Sequence, residues 1–108
     1  MTNKWSTEQV LAVSSSFQEC RIILSAAELD LFSKLKKRPK TSEELAAAEN
    51  WSNRGLTILM DALTAMGLLS KDSHGRYRLE SSLAPLLTRD GDDSILPLVL
   101  HRVTMWKS

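Results

Sequence analysis

Two histidines, one cysteine and a scatter of carboxylates are the groups in this 108-residue sequence that could do chemistry. Their spacing assembles none of the usual reactive sites. A zinc ion needs a cluster of Cys, His or carboxylate ligands, and two histidines with one cysteine are too few. Cys20 cannot form an internal disulfide, and a lone cysteine is most often a small buried hydrophobe. Asp90, Asp92 and Asp93 crowd together but lack the spaced loop and closing Glu of a calcium motif, so they read as a polar turn capping the next helix. No serine stands in a Gly-x-Ser-x-Gly context, which excludes a nucleophile elbow. The four glycines, Gly55, Gly67, Gly75 and Gly91, are too dispersed to wrap a phosphate or a dinucleotide. The sequence therefore shows no catalytic residues, no metal ligands and no cofactor loop.

His101 invites a binding role, because it lies in an apolar segment with Met105 and Trp106. In a helix that lines a pocket, its imidazole could hydrogen-bond a substrate oxygen while the thioether and indole pack against an aromatic ring. The competing reading is a structural histidine satisfied within the fold. Composition narrows the setting. Hydrophobic residues at 43% and charged residues at 25% describe a globular domain, not a fibre, a disordered tail or a membrane span. Fourteen Lys+Arg against thirteen Asp+Glu leave +1. That balance argues against a dedicated nucleic-acid binder. The length suits one domain with one self-sufficient core. No basic stretch followed by an apolar run opens the sequence, which points to a cytoplasmic protein. In that compartment the sequon Asn50-Trp51-Ser52 is accidental.

The elements that must position these residues are mostly helical. Ser6 and Gln9 make a capping box, and Val10, Val13, Phe17, Cys20 and Leu24 follow at three- and four-residue steps. The apolar face widens through Ile22, Ile23, Ala26, Ala27 and Leu29, and Leu31, Phe32 and Leu35 add a last apolar turn. The basic run Lys34, Lys36, Lys37, Arg38, Lys40 ends this helix, with Pro39 as a stop. Thr41-Ser42-Glu43-Glu44 is a second capping box and opens a short helix over 42–48. A break at 50–52 leads into a longer helix over 53–66, closed by Gly67. Residues 68–71 and 76–79 flank the polar turn 72–75 and form a hairpin. Ser81 or Ser82 caps a brief helix through Leu87, and Pro85 is tolerated in its first turn. A polar loop over 88–93 precedes a final apolar helix over 94–108. That helix is expected to pack on the domain and to lead into a partner or a further domain.

A short capped helix, a break, a longer helix and a hairpin follow the order of a winged helix-turn-helix. Three further stretches are specific: Ile23-Leu24-Ser25-Ala26-Ala27-Glu28-Leu29-Asp30-Leu31-Phe32, Thr41-Ser42-Glu43-Glu44-Leu45-Ala46, and Leu59 to Leu69 (LMDALTAMGLL). With the closing Gly75-Arg76-Tyr77-Arg78-Leu79, this series resembles the N-terminal dimerisation domain of S-adenosylmethionine-dependent O-methyltransferases, which act on small hydroxylated molecules. The resemblance covers about residues 10–106. It implies a downstream Rossmann-like domain that holds S-adenosylmethionine and a His general base, neither of which this sequence contains. It also implies a homodimer whose N-terminal helices interlock and help to close the substrate pocket.

The expected architecture is a single mostly α domain over 1–108, winged-helix-like, with one small hairpin. Residues 6–38 supply long dimerisation helices, 41–80 the winged-helix core, and 81–108 a short helix and a linker helix toward an absent catalytic domain. The stripe Val10, Val13, Phe17, Cys20 and Leu24 could face its own core or a dimer seam, and the resemblance favours the seam, with Phe17 as its anchor. The segment with His101, Met105 and Trp106 resembles the linker helix and is the candidate substrate lining. The expected function is dimerisation and pocket capping in an O-methyltransferase, without catalysis by this chain alone. Two other readings stay open. A winged-helix transcription regulator would use Ser52, Asn53, Arg54 and Thr57 on bases and Lys71, His74, Arg76 and Arg78 on phosphates. A free-standing interaction module would keep only the dimer surface. Against DNA, the helix over 53–66 carries one cation, Arg54, and one anion, Asp61, which leaves little phosphate attraction. The Lys34–Lys40 run is expected to be a solvated helix end.

Overall fold

The computed structural model describes residues 4–107, with the side chains of residues 15, 106 and 107 outside that description. Ser6 opens helix α1 (Thr7–Glu28) through the expected capping box: its hydroxyl accepts from the Gln9 backbone amide, and the Gln9 side-chain Oε1 accepts from the Ser6 backbone amide. The apolar rhythm predicts continuation through Leu35, but the structure breaks the helix at Asp30. Asp30 adopts φ 55°, a left-handed conformation that a short polar side chain tolerates. Helix α2 (Leu31–Lys37) then starts in a new direction and buries Leu31, Phe32 and Leu35. Lys34 donates to the Leu29 carbonyl and satisfies an acceptor that the end of α1 leaves open.

Pro39 comes after α2 as expected. The next two residues, however, form a strand, β1 (Lys40–Thr41), where the sequence predicts only a helix end and a cap. The Thr41 hydroxyl also accepts from the Glu44 amide, and the Glu44 carboxylate accepts from the Thr41 amide, so β1 runs straight into the second capping box and helix α3 (Ser42–Glu49). Helix α4 (Asn53–Ala65) is capped by Ser52 and ends in a Schellman motif. There the Gly67 amide reaches Thr64, the Leu68 amide reaches Leu63, and Gly67 takes φ 87°.

Strands β2 (Leu69–Lys71) and β3 (Arg76–Leu79) form the expected hairpin. Asp72 organises the turn, accepting from the amides of His74 and Arg76. Because β1 also pairs antiparallel with β3, with Lys40 opposite Tyr77, the hairpin grows into a three-stranded sheet in the order β1-β3-β2. Neither Ser81 nor Ser82 acts as the cap of the next helical segment. Glu80 holds the cap position without a side-chain bond, and a 3-10 turn (Ser81–Leu83) runs into α5 (Ala84–Leu87). The loop after α5 folds back on it: Asp93 and Ile95 donate to the carbonyls of Pro85 and Leu86. Gly91 sits so close that a Cβ there would lie 2.3 Å from the Pro85 oxygen, which explains its residue type.

Helix α6 (Leu96–Lys107) completes the fold. The main core gathers Ala26, Leu31, Phe32, Leu35, Leu45, Met60, Leu63, Leu69 and Tyr77 between α2, α3, α4 and the sheet. A second cluster joins Leu24 and Ala27 of α1 to Leu96, Val99 and Val103 of α6. Thus, among the described residues, α1 is buried only along its C-terminal part.

Candidate dimer interface and substrate-facing helix

From Thr7 to Cys20 every described side chain of α1 is exposed. Val10, Leu11, Val13 and Phe17 are each more than half exposed, at 51%, 62%, 59% and 53%. Of the five stripe residues, the structure places Val10, Val13, Phe17 and Cys20 outside the core and buries Leu24 under α6. Cys20 is thus exposed, contrary to its expected burial, because none of the described residues packs over the outer part of the helix. Leu11 is also exposed, about 100° around the helix from Val10. It lies off the three- and four-residue rhythm, so periodicity alone does not select it. Ser14 and Ser16 turn their hydroxyls back to the carbonyls of Leu11 and Val13. An exposed apolar stripe such as Val10, Val13 and Phe17 points to an interaction site.

The second candidate is the outer face of α6. Val99 and Val103 pack on α1, and this turns Leu98, His101 and Met105 outward along one face, three and four residues apart. Leu98 and Met105 are both 63% exposed. His101 is exposed beside them, so it is not a buried core histidine. The Trp106 side chain lies outside the described residues.

Two of the cations that the DNA reading would use are engaged. Lys71 pairs with Asp61 at 3.4 Å and stands 4.9 Å over the Tyr77 ring, and Arg76 pairs with Asp72 at 3.1 Å. The exposed face of α4 carries Ile58, 62% exposed, where a base-reading helix needs polar groups. Three of the five cations of the basic run pair with acids in the same chain: Lys34 with Glu49, Lys36 with Asp90, Arg38 with Glu44. Among the described residues no three His, Cys, Asp or Glu side chains gather as metal ligands. No described helix is long and apolar enough to cross a membrane.

Residues 11–90 match the model of the O-methyltransferase dimerisation domain. The tetracenomycin polyketide synthesis 8-O-methyl transferase of Streptomyces glaucescens is 36% identical over 69 residues, 64% of this chain and 20% of that protein. An O-methyltransferase family protein from Burkholderia thailandensis superposes with a TM-score of 0.85 at 27% identity, over 97% of this chain and 31% of that one. Human N-acetylserotonin methyltransferase, solved in complex with SAM, shares the fold with a TM-score of 0.80 at 21% identity, over 95% of this chain and 32% of that one. The chain thus spans about a fifth of the curated relative and about a third of each solved structure.

Proposed function

This chain belongs to the O-methyltransferase dimerisation domain family, and on that premise we propose that it joins two subunits of a cytoplasmic S-adenosylmethionine-dependent O-methyltransferase and roofs the substrate pocket. Residues 6–38 make the subunit contact, with Val10, Val13, Phe17 and Cys20 on its surface and Leu24 fixing α1 to α6. Residues 41–80 form a winged-helix core that holds α1 at its angle. Residues 81–108 lead toward the catalytic domain, and the Leu98–His101–Met105 face of α6 turns toward a small hydroxylated acceptor. The uncovered apolar surface of α1 is the observation that carries this assignment.

The glycines of this chain do not make a loop for a nucleoside cofactor. Gly67 ends a helix, Gly75 closes the hairpin turn and Gly91 abuts Pro85, so none contributes to a clustered glycine loop that could approach a nucleoside. On this reading, residues outside this chain would hold the cofactor and the base that deprotonates the acceptor hydroxyl. What this chain supplies is position. Methyl transfer requires donor carbon and acceptor oxygen in line, and a roof that orients the acceptor ring acts directly on the rate.

The test is sedimentation of the intact protein beside its Phe17→Glu variant. The parent is expected to be a dimer. A charge buried in an apolar seam costs several kcal/mol, so the variant is expected to sediment as a folded monomer. A monomeric parent, or a variant that dimerises unchanged, would overturn the assignment.

A further inference from the structure

The net charge of +1 hides a segregated basic surface. Lys36, Lys37, Arg38 and Arg78 line a cleft of about 590 Å³ where α2 meets β3, with Glu80 as the acid among its lining residues. Lys34, Lys37 and Lys40 line a second cleft of about 290 Å³, together with Asp30 and Glu49. Lys37 belongs to both, so the two clefts make one basic strip across α2, β1 and β3. The negative end of the α2 dipole accounts for Lys34, Lys36 and Lys37. It does not account for Lys40 and Arg78, which the strands bring in. Arg78 lies opposite Ser70, so no acid faces it across the hairpin. Among the described residues Lys37, Lys40 and Arg78 form no ion pair. The pairs made by Lys34, Lys36 and Arg38 span 3.4–3.9 Å, against roughly 2.7–2.9 Å for a charge-assisted hydrogen bond, so they are loose surface contacts. Glu44, the partner of Arg38, is already engaged by the Thr41 amide. Like charges gathered in this way repel one another, and an anionic partner relieves the repulsion.

We propose that this strip is a docking surface for an acidic segment of a partner protein. Charge complementarity carries the proposal, and the details select a polypeptide. Carboxylates match the planar forks of Arg38 and Arg78. Leu35 and Leu79 give the larger cleft an apolar floor, which suits side chains interspersed among the acids. Asp30, Glu49 and Glu80 stand among the cations. They would repel a polyphosphate backbone, which is charged at every unit, whereas a polypeptide can set a neutral or basic residue against them. No aromatic side chain lines either cleft to stack a base. No residue of α1 or α6 lines the strip, so the proposal stands or falls apart from the subunit seam and the acceptor-facing helix.

The test is a calorimetric titration of the intact protein at low salt with an acetylated dodecapeptide of alternating Glu and Ala. Binding is expected, weakening as salt is added and absent when every Glu of the peptide is replaced by Gln. The double variant Lys37→Gln, Arg78→Gln is expected to weaken it roughly fivefold or more. Both side chains are exposed, so its thermal melt should match the parent's. Arg54→Gln, an exposed cation lost from α4 instead, should leave binding unchanged. Absence of binding, or equal weakening in Arg54→Gln, would overturn the strip. Tighter binding of a DNA duplex of the same charge than of the peptide would overturn the choice of a polypeptide partner.

Discussion

Tyr77 shows how one side chain ties the sheet to the helix layer. Its ring is buried, and its hydroxyl donates at 2.5 Å to Asp61 on α4, which Lys71 also approaches. The Tyr77 hydrogen bond, assisted by Lys71 and opposed by desolvation, holds the Asp61 carboxyl below the usual carboxylate range. A carboxylate depressed in the folded state stabilises the fold above its unfolded pKa, and that stability disappears as pH falls through the folded value. Tyr77→Phe is therefore expected to lose about 1–2 kcal/mol at neutral pH. In urea titrations the gap from the parent should narrow at successive steps below about pH 4. A gap independent of pH would place the effect elsewhere than Asp61. His101 makes a different kind of prediction, because it is exposed and the fold does not depend on it. If it bonds the acceptor, His101→Ala in the intact enzyme should lower kcat/KM roughly tenfold, the equivalent of about 1.4 kcal/mol, without moving the melting temperature. Unchanged kinetics would remove it from the pocket.

The elements are legible in the sequence where a local rule governs them. Both capping boxes, the glycine-capped end of α4 and the hairpin around Asp72 form as the sequence predicts, since each depends on residues three to six apart. The failures are tertiary. The turn at Asp30 hides behind an apolar rhythm that runs unbroken across it, and only packing of Phe32 and Leu35 under the sheet shows that the axis must change. Strand β1 has two residues and becomes a strand only because β3 lies beside it. The candidate surfaces divide in the same way: periodicity finds the stripe on α1 but cannot tell that α6 covers Leu24 and leaves Phe17 bare. Thr41 combines both kinds of information, as partner of Arg76 in the sheet and cap of α3. Thr41→Ala should cost about 1 kcal/mol in chemical unfolding through the lost cap. Thr41→Ser keeps the hydroxyl and should recover most of it. Equal losses in the two variants would mean that the strand position, not the cap, matters.

At the scale of the molecule, the shape itself is a physical argument. The described chain measures 53 × 29 × 29 Å, with a radius of gyration of 15.7 Å. A chain of this length packed as a compact domain comes to about 13 Å. The excess is the outer part of α1, which stands clear of the body. A helix of that length is marginal in water, because nucleation is costly and too few hydrogen bonds are added afterwards to offset it. Its Val10, Val13 and three consecutive serines, residues 14–16, are indifferent helix formers. Beyond the Ser6 capping box, residues 7–20 thus have little of their own to hold them helical and draw their order largely from whatever covers them. If that cover is a second copy, ordering of α1 and association are one event, and helicity follows mass action. The far-ultraviolet circular dichroism per residue should weaken on dilution through the dissociation midpoint, and Phe17→Glu should show the weaker signal at every concentration. Hydrogen exchange should locate the loss, with amides 7–20 exposed on dilution while those of Leu31–Leu35 stay protected by the core. Helicity that holds constant across the same range, with residues 7–20 protected in the monomer, would show that α1 needs no partner and that its apolar face serves something other than assembly.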